Sequence, residues 1–334
     1  MKAARLVRQL GPSGAVVMLV LGGLAQSAGA VTSPVNRAAH RSTAVRAIDA
    51  KYFEPGSCQE FKPTAGHRHL TVFLDAGHGG LDPGSVGETA SGQTIYEADE
   101  TLPVELDTTA LLRAQGFTVV VSRTRASTVV RPVAGDISDG LFTVQGEHRD
   151  VAARDVCANM AKANVLVGIY FDAGAESYNA GSVTGYDSAR SFSAQNLRLA
   201  TLIQNTVLAD MNAQGWGIPD LGVADDSQLG GPALSYAAET YGHLLLLGPS
   251  DPGYFSTPSQ MPGALIEPLF ITDPFEGSIA DSATGQQVIA SGLDSAIEQY
   301  FAPAPTQTAS LNAAGRITGA ALAELLSDPL RPVT

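Results

Sequence analysis

Residues 74–84 read Leu74-Asp75-Ala76-Gly77-His78-Gly79-Gly80-Leu81-Asp82-Pro83-Gly84. The run that leads in, 70–74, is short, apolar and β-type, and it ends in a glycine-rich turn. A strand that closes this way delivers a histidine at its carboxyl end, where α/β sheets place their ligand sites. The glycines let backbone and substrate approach closely. His78 therefore stands where a metal or substrate ligand would, the competing reading being a glycine-rich turn with an incidental histidine.

Working outward, apolar runs alternate with helical spacing. Residues 98–115 have the period of a helix, 117–121 of a strand, 150–163 of a helix and 165–171 of a strand. A helix over 193–211, strands at 244–247 and 264–269, and a helix over 285–301 continue the alternation. Strand and helix in turn predict an α/β sheet flanked by helices. Residues 215–254, rich in Gly, Asp and Pro, read as a surface excursion near the site. Residues 31–66 show no sustained period and read as a loose N-terminal segment. Residues 302–334 form a Pro/Ala-rich tail with one short helix at 320–326.

With 334 residues, 44% of them hydrophobic, the chain is ample for a real core. Its first thirty residues differ from the rest: Lys2, Arg5 and Arg8 precede an apolar run at 15–25 that ends in Ala28-Gly29-Ala30. This is the layout of a secretory signal peptide cleaved after Ala30. The alternative is a retained anchor, but the run falls short of the roughly 20 residues a bilayer needs. The mature protein is expected outside the cytoplasm, in the cell wall or periplasm, without stable membrane insertion. Losing three bases and no acids leaves 33 acids against 17 bases, a formal charge of −16. That balance argues against binding nucleic acid or anionic lipid through charge. Cys58 and Cys157 are the only cysteines. An oxidising compartment would let them pair, and two buried free thiols are the alternative.

Two carboxylates stand out beside His78. Glu97 opens the helical stripe Thr101, Leu102, Leu106, Leu111 and Leu112, a position that the helix dipole and capping also explain. Pro103 fits that helix only in its first turn or at a kink. Glu267 sits alone in the apolar strand Gly263-Ala264-Leu265-Ile266-Glu267-Pro268-Leu269-Phe270. A buried, unpaired carboxylate is costly, so it faces a polar site or meets a cation. There is no G-x-S-x-G, C-x-x-C or P-loop string to support a serine hydrolase, a disulfide oxidoreductase or a nucleotide-binding protein.

The strings LDAGHGGLDPG, EADETL with the helix running to LLRAQGFTVVVSRT, RDVCANMAKANVLVGIYFDAG, and PGALIEPLFITDPFE resemble, in order and spacing, the zinc-dependent N-acetylmuramoyl-L-alanine amidases of the cell wall. The resemblance implies a single α/β domain, here 67–301, with a mostly parallel twisted sheet between helices. It implies cleavage of the amide joining N-acetylmuramic acid to the L-alanine of the stem peptide, with peptidoglycan as partner and Zn2+ as cofactor. Position by position, His78 and Glu97 match the family's first two zinc ligands and Glu267 its catalytic glutamate.

The third ligand departs from the pattern. The family has histidine in a string like SIHAD. This chain has Gly168-Ile169-Tyr170-Phe171-Asp172, with the register set by Arg154 and Ala158-Asn159 on the preceding helix. Tyr170 thus stands where histidine is expected. Catalytic zinc usually has three protein ligands and a water. A tyrosine must first give up a proton with an ordinary pKa near 10. Asp172, two residues on and on the same face of a strand, is the alternative ligand, and His243 a more distant one. His148, His67 and His69 are expected in ordinary surface or packing roles. The competing functional reading is a catalytically silent amidase-fold protein that binds peptidoglycan or regulates wall enzymes.

Overall fold

A computed structural model describes residues 45–47, 51–229 and 240–303. The expected cleavage site at Ala30 and the short helix at 320–326 lie outside the described residues. The strands in chain order are β1 (Val45–Ala47), β2 (Ser57–Phe61), β3 (Thr71–Ala76), β4 (Val86–Glu88), β5 (Thr94–Tyr96), β6 (Thr118–Arg123), β7 (Ile137–Ser138), β8 (Leu141–Phe142), β9 (Val165–Ile169), β10 (Ser182–Tyr186), β11 (Asp220–Asp225) and β12 (Gly263–Glu267). The helices are α1 (Glu97–Ala114), α2 (Val144–Ala161), α3 (Ser193–Ala213), α4 (Pro274–Ala280) and α5 (Ala283–Phe301).

Eight strands form one sheet in the order β1-β2-β6-β3-β9-β12-β10-β11. The four central strands, β6, β3, β9 and β12, run parallel to one another. β2 and β10 pair antiparallel on either side of them. Successive strand residues point to opposite faces, and here each face has its own core. Val72, Leu74, Val119, Val121, Val165, Val167, Ala264 and Ile266 pack beneath α1, α3 and α5. The intervening Phe73, Val120, Leu166 and Leu265 pack against Ala153, Cys157 and Ala158 of α2. Strands clad on both faces read as near-continuous apolar runs, as these four do.

Several expectations are corrected here. The segment before residue 67 is no loose leader throughout, because β1 and β2 extend the main sheet. The cysteine pair, for which both a bond and free thiols were open, is no correction: Cys58 on β2 is disulfide-bonded to Cys157 on α2, across 99 residues of sequence. Both cysteines are fully buried in the second core. The run 244–247 is a turn and not a strand: Leu247 and Gly248 donate their backbone N–H to the Leu244 carbonyl. Leu246 and Leu247 are nonetheless buried against Leu265 and Met261, so burial, not strand formation, accounts for the apolar run. Within 215–254, residues 220–225 are the edge strand β11, paired parallel with β10. Pro103 lies in the second turn of α1, where it leaves the Asp99 carbonyl without an intrahelical donor.

The disulfide spans a long loop, so removing it should matter. Cys58→Ser combined with Cys157→Ala is expected to lower the unfolding free energy by roughly 2–5 kcal/mol, read from urea denaturation. A midpoint unchanged from wild type would show that the bond constrains nothing.

Three buried carboxylates contribute to the pH profile of the fold. Burial pushes Glu105 up to about 8, opposed by Arg123 and by the N–H groups of Ala76 and Ser122. Burial, reinforced by Asp281, raises Glu100 to about 7, and burial raises Glu276 to about 7 against hydrogen bonds from Phe270 and Gly181. Each folded value lies above the ordinary 4.5. The folded chain therefore binds these protons more tightly than the unfolded chain does. Their stabilisation is complete below the unfolded value and is lost as pH rises through 7 to 8. The Tm is expected to be several degrees higher near pH 5.5 than near pH 8.5. A Tm that rises across that interval would overturn the assignment.

Candidate active site and metal centre

The candidate residues meet at the carboxyl ends of β3, β9 and β12, beside the first turn of α1. The register pairs Ala76 with Ile169 and Ile169 with Ile266, so the chain leaves three neighbouring strands at one level to present His78, Tyr170 and Glu267. The loop after β3 is clamped from both sides. Arg123 donates to the carbonyls of Ala76 and Gly77 at 3.2 and 3.1 Å. Arg154, from α2, donates to those of Ala76 and His78, each at 2.8 Å. Held this way, His78 adopts a left-handed backbone with φ of 60°.

Two glycines are required by close approach. A Cβ on Gly77 would fall 2.5 Å from the Tyr170 ring, and one on Gly84 would fall 2.8 Å from both the His78 ring and the Glu97 side chain. The spacing quoted at the outset thus has a steric cause.

The His78 imidazole lies between two carboxylates. Its Nδ1 is 2.7 Å from Asp82 Oδ2, and its Nε2 is 3.1 Å from Glu97 Oε1. Burial opposes a charge on the ring, but Glu97 and Asp82 override it and raise His78 to about 10. Asp82, missed as a site residue, also accepts the Gly84 N–H at 3.0 Å. Its signal was in the sequence: a carboxylate four residues after the histidine in a turn. Glu97 is the first residue of α1, yet it does not cap that helix. Its oxygens accept from Ser85 N at 3.0 Å and Phe171 N at 2.9 Å. Against burial, His78 and these two donors hold it below the usual carboxylate range.

Tyr170 points elsewhere. Its hydroxyl donates to Asp75 Oδ2 at 3.0 Å, and Asp75 Oδ1 in turn takes Arg154 Nη1 at 2.5 Å. The ring stands edge-on to His78 with centroids 5.3 Å apart. Burial and then Asp75 push the phenol well above 10, so it keeps its proton. The expected strand ends at Ile169, and the shared-face argument for Tyr170 and Asp172 ends with it. Asp172 instead bridges to Phe270, accepts the Ala173 N–H at 2.6 Å, and bears electrostatically on Glu267. Glu267 closes β12; burial, then Asp172 and Glu97, raise it well above 4.5 against the pull of His78. Glu276, also missed, fastens the turn beyond it by accepting from Phe270 N at 2.7 Å and Gly181 N at 2.9 Å.

Residues 72–299 match the family described as N-acetylmuramoyl-L-alanine amidase, about two thirds of the chain. The chain belongs to this family. Protein YqiI of Bacillus subtilis (strain 168), described as uncharacterized, is 26% identical over 231 residues, covering 69% of this chain and 84% of its own. The CwlD amidase of Clostridioides difficile, solved in complex with the GerS lipoprotein, matches with a TM-score of 0.52 at 22% identity, over 69% of this chain and 98% of its own. An N-acetylmuramoyl-L-alanine amidase of Clostridium difficile 630 matches with a TM-score of 0.48 at 24% identity, over 69% and 96% of the two chains. At 22% identity the likeness to CwlD is one of fold: an α/β domain with a central, mostly parallel sheet between helices.

Zinc is the metal that members of this amidase family generally use. The donor set at the amidase site fits a divalent cation in part. His78 Nε2 and Glu97 Oε1 converge, Asp82 fixes the far ring nitrogen as carboxylates do behind metal-bound histidines, and the carboxyl groups of Glu267 and Asp172 bear electrostatically on the same place. Tyr170 does not fit, because its hydroxyl is committed to Asp75. His243 is also excluded from this shell, for it contacts Asp187 and Asp226. Asp187 follows β10, which runs antiparallel to β12 with Val183 opposite Glu267, so His243 belongs to the other end of the sheet. His67 and His69 are exposed and stack on each other at 4.2 Å, while His148 packs on the rings of Tyr254 and Phe255.

Proposed function

We propose that this member of the family is a working exported amidase, hydrolysing the amide between N-acetylmuramic acid and the L-alanine of the stem peptide in peptidoglycan. The observation that carries this is the convergence of His78, Glu97 and Glu267 at one end of the sheet. His78 and Glu97 would hold the divalent metal, and Asp172, which bears electrostatically on Glu267, is the carboxylate we assign to supplement them. A metal bound there supplies Lewis-acid polarisation of the scissile carbonyl. The remaining steps fall to Glu267, which takes the proton of the attacking water and returns it to the leaving amine. Burial, Asp172 and Glu97 raise its proton affinity, which favours uptake of the water's proton. An acidic surface is repelled by anionic wall polymers, so recognition rests on this groove and not on charge. Export is supported by the pattern of residues 1–30 and by the Cys58–Cys157 disulfide. No helix among the described residues is long and apolar enough to cross a membrane.

Tyr170→His tests the centre. It replaces a committed hydroxyl with a neutral imidazole beside His78, and zinc affinity measured by equilibrium dialysis is expected to rise about tenfold or more as a third ligand is gained. An unchanged affinity in a folded variant would place residue 170 outside the metal's reach. Wild-type turnover of purified peptidoglycan should fall in chelator and return with zinc. No turnover under any metal supply would replace the enzyme by a silent wall-binding protein.

A further inference from the structure

We infer that Asp187, Asp226 and His243 form a second cation site, separate from the amidase centre, that takes a first-row divalent metal of the zinc class and fastens the edge of the sheet. One ligand atom from each residue lies within 4.8 Å of the other two. His243 Nδ1 is 3.0 Å from Asp187 Oδ2 and 3.2 Å from Asp226 Oδ1, so a single point faces all three atoms. Both carboxylates are buried, with exposures of 0% and 1%. Among the described residues, Asp187 Oδ2 receives no hydrogen bond, although the imidazole nitrogen is at contact distance. The partner oxygen Oδ1 is by contrast fully used, accepting from the N–H groups of Ala189 and Arg190 at 2.6 and 3.1 Å. A buried carboxylate oxygen aimed at an imidazole and a second carboxylate, with no donor of its own, is what a cation would satisfy.

The chemistry narrows the occupant. One imidazole nitrogen and two carboxylate oxygens suit zinc, which takes such donors and completes its shell with water. The backbone is braced for the role. Asp226 Oδ2 accepts the Leu244 N–H at 2.9 Å, which fixes the carboxylate beside His243. Arg190, whose charge bears on Asp187, donates to the carbonyls of Leu247, Gly248 and Ser259. The ligands come from the end of β10, the end of β11 and the turn at 243, three segments that a cation would tie together. Because β10 and β12 are antiparallel, the site lies at the end of the sheet remote from Glu267.

The competing occupant is a proton, with an imidazolium bridging the two aspartates. Zinc titration of the metal-stripped full chain separates the two, with His78→Ala as background so that the amidase centre does not contribute. Zinc is expected to raise the Tm of the His78→Ala protein by several degrees and to bind at about one equivalent. Adding His243→Gln should weaken that binding by at least about tenfold and abolish the Tm shift, since one of three ligands is lost. Should that variant fold poorly, Asp187→Asn provides the same readout with a side chain of unchanged size. A His78→Ala protein whose Tm and zinc content do not respond to the metal would overturn the site and leave the imidazolium in place. So would a response that survives both His243→Gln and Asp187→Asn.

Discussion

Glu267→Gln is expected to reduce peptidoglycan hydrolysis by about 10²–10⁴-fold while leaving the Tm within about a degree or two of wild type. The amide keeps the shape of the carboxylic acid at the end of β12 but cannot take up the proton of the attacking water. Stability should be spared for a specific reason. Burial, Asp172 and Glu97 raise the proton affinity of Glu267 well above that of an ordinary carboxylate, so its surroundings disfavour a charge there. A neutral amide of the same shape adds none. Turnover on purified walls beside a thermal melt checks both halves, and wild-type turnover by a folded Glu267→Gln protein would rule out the proposed base. A large loss of Tm would show instead that the carboxylate is ionised and paired in the resting protein.

Much of the fold was legible because its central strands are buried on both sides. The runs 70–74, 117–121, 165–171 and 264–269 are β-branched and apolar, and each became a strand of the sheet, though β9 and β12 end short of the runs that predicted them, at Ile169 and Glu267. The apolar run at 244–247 looked the same in one dimension. Its leucines are buried by the packing of a turn, a distinction that periodicity cannot make. β1, β2 and β11 were missed for the opposite reason: they lie at the margins of the sheet, where apolar pattern is weak. At the candidate site, His78, Glu97 and Glu267 stood out by position, but only the family resemblance gave them roles, since a turn, a helix start and a lone strand carboxylate each have an ordinary reading too. Asp82 and Glu276 were not, since their roles depend on which backbone N–H groups the turns bring to them. The direction of the Tyr170 side chain was equally out of reach, because it is set by Asp75 on a neighbouring strand.

Arg154 deserves the second large expectation, since in sequence it served only to fix a register and in the structure it holds the site together. Its side chain is 1% exposed and lies between Asp75 Oδ1 at 2.5 Å and Asp150 Oδ2 at 2.9 Å. Two further donations, to the carbonyls of Ala76 and His78, carry the clamp into the His78 loop. Arg154→Met removes the guanidinium paired to both buried carboxylates and leaves only the more distant Arg123 charge acting on them, and breaking a buried ion pair from one side typically costs about 3–5 kcal/mol. A loss of that order is expected in urea unfolding, with hydrolysis falling as the His78 loop loosens. Stability loss alone does not identify the cause, because Arg154 also fills volume. The double variant Arg154→Met with Asp75→Asn decides it: neutralising one stranded carboxylate should restore at least about 1 kcal/mol if uncompensated charge is the cause. Strict additivity of the two substitutions would mean that packing, not charge, is what Arg154 contributes. Recovery of stability without recovery of hydrolysis would assign to its two backbone hydrogen bonds the separate task of presenting His78.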